Sequence, residues 1–212
     1  MSLNATPAPA RTDAPPPGTV AAPPTTLVRA GGLAMAAGAA AWAAGTLVYD
    51  LDPVTDDFSW VYKLSSLLFQ LGLVALVAVQ LRTRATGTGR LARGFLHVEH
   101  GMLALAIASS LQWLLAPDLS ENAFFLALDF FWPLSMLGMA AIGIRIAIAG
   151  RWRGAARVWP AIAETWALVM FPAMALVGEQ ATAYISAGHL FLGYTTLGLI
   201  LAVRPDLTAA RR

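Results

Sequence analysis

Six apolar runs, at about 27–48, 59–81, 95–115, 123–149, 157–177 and 181–203, leave this chain few ways to fold. Each is close to or longer than the roughly 20 residues that carry a helix across a 30 Å hydrocarbon core. Hydrocarbon offers the backbone no hydrogen-bond partner, so a spanning segment has to satisfy its own amides, as a helix does. The connections are short, so successive helices should be antiparallel neighbours, and no remaining stretch is long enough for a separate soluble domain. The fold class expected is all-α: a polytopic membrane protein with six transmembrane helices and both termini cytoplasmic. The transmembrane domain is placed at 27–204.

Composition agrees. Of 212 residues, 58% are hydrophobic and 12% charged, against about 25% charged in a soluble domain. A cytosolic enzyme, a nucleic-acid binder and a disordered regulator are all poor fits, and a net charge of +2 implies no nucleic-acid partner. The absence of Cys excludes disulfides, thiolate metal sites, Cys nucleophiles and covalently attached c-type haem. Thirteen Arg, one Lys and abundant Ala suit a high-GC bacterial genome. The expected location is therefore the bacterial cytoplasmic (inner) membrane, with lipids as the first partners.

Seven of the 13 prolines fall in residues 1–26, among Ala and Thr. Such a stretch cannot bury enough surface to offset its ordering entropy, so a disordered cytoplasmic tail is expected there. A short basic tail follows at 205–212. The first apolar run exceeds the 7–15 residues of a signal-peptide core. Trp42 and Tyr49 near its end have the character of interfacial anchors, so it is read as a retained helix.

The arginines orient the bundle. Arg11 and Arg29, then Arg82, Arg84, Arg90 and Arg93, then Arg145, Arg151, Arg153 and Arg157, then Arg204, Arg211 and Arg212 all fall on one side of the six runs. The positive-inside rule makes that side cytoplasmic. The alternate connections are acidic, with Asp50, Asp52, Asp56 and Asp57, then Asp118 and Glu121, then Glu179. In the first run Gly31, Gly38 and Gly45 recur every seven residues. A stripe of small residues permits close helix packing in lipid, and it is the expected surface for a lateral membrane-protein partner.

Ionisable residues inside a bilayer are costly and usually face the bundle interior or water. The ligand or proton-site candidates are His97, Glu99, His100, Glu164 and His189. His97 and His100 share a face, while Glu99 points about 100° away from His100. From a boundary near residue 95 these three lie only about 3–8 Å deep. Glu164 lies roughly 10 Å inside the fifth run, where a short side chain cannot reach the surface, and pairing with His100 would compensate both groups. His189 lies near mid-membrane with Ser186, Gly193 and Thr196 on its face, suited to hydrogen bonding or proton relay. In the outer half, Lys63 and Asp129 have depths that permit an ion pair.

No cofactor is expected. His-x-x-His without a third nearby ligand is a weak metal motif, and His100 and His189 are poorly matched in depth for haem. No phosphate loop, zinc-protease motif or nucleophile elbow is present, so no catalytic residue is assigned. Pro133, Pro160 and Pro172 should kink the fourth and fifth helices. Three functional classes remain: binding or transport of a small solute or protons through a polar bundle interior, a non-catalytic accessory or assembly subunit, and an intramembrane enzyme.

Overall fold

A computed structural model describes residues 25–51, 59–119 and 122–209. Among them the chain is helical with no strand, and six helical segments are long and apolar enough to cross a membrane. The first three are unbroken: α1 (Thr25–Leu51), α2 (Ser59–Arg82) and α3 (Arg90–Leu115). The remaining three are interrupted. The fourth span is α4 (Ala123–Asp129) and α5 (Phe131–Ala149). Pro133 lacks the amide that would reach the Asp129 carbonyl, and the helix breaks there. The fifth is α6 (Gly154–Ala163) and α7 (Trp166–Val177). The sixth is α8 (Glu179–His189), a π-helical turn at Leu190–Thr195, and α9 (Thr196–Val203). The tail expected at 1–26 lies outside the described residues except for Thr25 and Thr26, which open α1.

The spans form a closed ring. Each packs against the next in sequence, and the sixth returns to the first through α8, the π turn and α9 against α1. Side chains fill the centre. Phe69 contacts Tyr194 edge to face at 5.0 Å, and Trp42 lies against Phe69, Trp132 and Trp166 at 4.8–5.6 Å between ring centroids. Trp42 is 3% exposed. It is a core residue and not the interfacial anchor expected, because its ring turns inward from α1.

Polar and apolar residues are distributed as lipid requires. Leu33, Leu68, Leu105, Leu137, Ile144, Leu168, Phe171, Leu192 and Leu199 are exposed, while Gln70, Gln80, Glu99, Ser135 and Glu164 are buried. So continuous an apolar exterior fits a multi-pass membrane protein and would be a liability in water.

The glycine stripe is occupied within the chain. A Cβ at Gly31 would meet Val79 and Ala75, one at Gly38 the backbone of Leu68, and one at Gly45 the Ser65 hydroxyl. All of these belong to α2. A lateral partner using the stripe would have to displace α2, so the small residues serve the α1–α2 seam.

One end of the ring is tied together. Trp152 Nε1 donates to Thr83 Oγ1 at 3.0 Å, joining the α2–α3 and α5–α6 connections. The Arg153 amide and guanidinium donate to the carbonyls of Leu207 and Asp206, both at 2.8 Å. Gly150 closes α5 in the left-handed region at φ 62°, where a side chain is strained. These ties gather the arginines from Arg82 to Arg204 at one end. Arg11, Arg211, Arg212, Asp52, Asp56, Asp57 and Glu121 lie outside the described residues.

Candidate functional site: a buried carboxylate pair

The buried face of α3 runs Leu96, Glu99, Leu103, Ala106, Ser109, Gln112, a helical stripe of three- and four-residue steps. Glu99 falls on that stripe, and its neighbours do not. His97 is exposed and His100 half-buried, and His100 Nδ1 lies 2.9 Å from the Leu96 carbonyl of its own helix. The expected Glu164–His100 pair is therefore not formed. Among the described residues no group of three or more His, Asp or Glu is placed to hold a metal ion.

Glu164 sits at the break in the fifth span, where α6 ends in a tight turn with Glu164 at φ −79°, ψ −2° and Thr165 at φ −85°, ψ 13°. The Thr165 hydroxyl bonds back to the Ile162 carbonyl at 2.8 Å, a local bond that competes with helix continuation. Glu164 is fully buried, and Gln80 of α2 donates its Nε2–H to Glu164 Oε1.

Both acids press on α5 at a glycine. A Cβ at Gly138 would fall on the Glu99 carboxylate. One at Gly143 would strike the Pro160 carbonyl 2.5 Å away and Glu164 Oε2 at 3.0 Å. Glu99, Glu164 and Tyr194 lie within electrostatic reach of one another. Both Glu99 oxygens, Glu164 Oε2, Gln80 Oε1 and the Tyr194 hydroxyl are buried without a hydrogen-bond partner among the described residues. No arginine, lysine or histidine there forms an ion pair with either acid.

The two acids stand at matched levels along their helices. Helices α3 and α6 begin at Arg90 and Gly154, before the runs do. At 1.5 Å per residue Glu99 and Glu164 therefore lie about 14 and 15 Å along the helix from those starts.

No protein-family model, curated protein or solved structure matches this chain. The chemistry of the site has to carry its interpretation.

His189 supports the site from behind. Its Nε2 lies 3.1 Å from the Ala163 carbonyl, next to Glu164. Trp159 Nε1 donates to the Gly193 carbonyl at 3.0 Å, and Trp166 Nε1 to Ser186 Oγ at 3.1 Å. These three bonds stitch the broken fifth span to the sixth.

Lys63 and Asp129 do not form the expected ion pair. They line one cavity together, and Asp129 Oδ1 accepts from the Ser109 hydroxyl at 3.3 Å.

Gln80 and Tyr194 were not anticipated. Both are neutral, and a search for intramembrane charge passes over them. The available signal was Gly138 and Gly143 on the span that faces the acids.

Proposed function

We propose that this protein handles protons through the Glu99–Glu164 pair, taking them up and releasing them within the membrane. The observation that carries the proposal is two fully buried carboxyl groups from different spans with no cationic partner among the described residues. Two carboxylates in low dielectric repel each other and lack solvation, so such a pair calls for a compensating positive charge, which a proton supplies at the least steric cost. The break at Glu164 and the π turn bearing Tyr194 support this reading. Non-α backbone at membrane depth occurs where polar groups must be presented, and π turns recur at functional sites.

The test uses the full chain in liposomes loaded with a pH-sensitive dye, in sodium-free buffer under an imposed potassium diffusion potential. Dye acidification well above that of empty liposomes is expected. It should be blocked by dicyclohexylcarbodiimide, with the adduct mapping to Glu99 or Glu164. Adduct without flux would make the pair a structural anchor and overturn the proposal, as would the absence of both.

The proposal includes orientation in a bacterial cytoplasmic membrane, with the arginine-rich end inside. Thr88 and Gln180 are exposed at opposite ends of a chain without cysteine. With single cysteines introduced there, an impermeant thiol reagent should label position 180 in intact cells and position 88 only after lysis. The opposite pattern would reverse the topology.

A further inference from the structure

We propose that the cavity toward the end remote from the arginines is a binding site for a small zwitterion carrying a protonated amine, of the α-amino-acid type. The cavity has a volume of about 180 Å³. That is below the roughly 300 Å³ at which pockets for drug-sized ligands begin, so a small solute is the right scale. Lys63 and Asp129 both line it, and among the described residues neither has an ion-pair partner. A simple anion drawn to Lys63 would face the Asp129 carboxylate, and a simple cation would face the Lys63 ammonium. A molecule carrying both charges answers both.

The walls refine the choice. Trp42, Trp113 and Trp132 surround the cavity, and aromatic faces attract an ammonium group. Gln70 is 1% exposed and lines the same space. Its Nε2 donates to Ser110 Oγ at 2.6 Å, which leaves Oε1 buried and without a partner among the described residues. A buried acceptor favours a ligand with an N–H to donate. A primary ammonium supplies one and a trimethylammonium does not. The Trp42–Phe69–Tyr194 ring contacts connect this cavity with the residues around the carboxylate pair. Binding is measured without a proton gradient, so its failure and the failure of the proton proposal are separable.

The experiment titrates the purified full chain, in the uncharged detergent dodecyl maltoside, by Trp fluorescence and calorimetry. Glycine, L-alanine and L-serine are compared with glycine betaine, acetate and methylammonium. At least one of the three amino acids should bind saturably at millimolar concentration or below, about tenfold or more tighter than each of the other three compounds. Lys63→Gln and Asp129→Asn should each weaken binding by about tenfold or more with the thermal midpoint retained. If a variant fails to fold, the ligand series on the unmodified protein decides. No saturable binding of an amino acid, equal binding of betaine, acetate or methylammonium, or unchanged affinity in both folded variants would overturn the site.

Discussion

Gly198→Leu is expected to leave almost no folded protein in detergent extracts. A Cβ at Gly198 would lie 2.5 Å from both the Ala36 amide nitrogen and the Gly32 carbonyl oxygen. One at Gly32 would lie 2.6 Å from the Gly198 carbonyl and 2.7 Å from the Ala202 nitrogen. Backbone meets backbone at this crossing, and neither side has a flexible chain end that can yield. Even Gly198→Ala should cost about 3 kcal/mol, the upper end for overpacking a core. Leucine adds further bulk at the seam that closes the ring, and total stabilities are only about 5–15 kcal/mol. Gly101 has open space where its Cβ would go. Gly101→Ala should therefore stay within about 1 kcal/mol of the parent, if anything more stable, because alanine suits a helix interior better. Size-exclusion profiles and thermal midpoints of the three variants check this. A monodisperse Gly198→Leu protein with the parent's midpoint would mean that α1 and α9 do not cross as described.

The same seam shows what sequence could reveal. Six spans were legible because an apolar run of sufficient length admits little else in hydrocarbon. Their starts were not, because helices can continue into charged residues at a membrane boundary. Arg90 and Arg93 belong to α3, and Gly154 opens α6, so these helices begin a few residues before the apolar runs do. Small residues on α1 announced close packing but could not name the partner, which is α2 for Gly31, Gly38 and Gly45 and α9 for Gly32. Proline marked the break before α5. In the fifth span the helix continues through Pro160 and yields at Glu164 and Thr165, which no sequence pattern marked. The inward aim of Glu164 was legible from the shortness of its side chain. Its partner was not, since a neutral glutamine 84 positions away leaves no charge pattern.

The two acids should also respond differently to substitution. Glu164→Gln keeps the volume, and its carbonyl can still accept from Gln80, so the protein should fold with a thermal midpoint near the parent's. It removes the titrating carboxyl, and proton flux in liposomes should fall by about a hundredfold, the lower end for losing a positioned proton-transfer group. Glu164→Leu should in addition destabilise by about 1–3 kcal/mol, because it leaves the Gln80 amide buried without its acceptor. Glu99 has no protein partner for either oxygen among the described residues. Glu99→Gln should lose flux to a similar extent. Glu99→Met replaces an unsatisfied polar group by an apolar one of similar length, and should be neutral or stabilising while flux is lost. That opposition, in which an apolar residue weakens the fold at 164 but not at 99, distinguishes a hydrogen-bonded acid from an unpartnered one. Full flux in folded Glu164→Gln and Glu99→Gln proteins would reduce the pair to packing and remove the basis for proton handling.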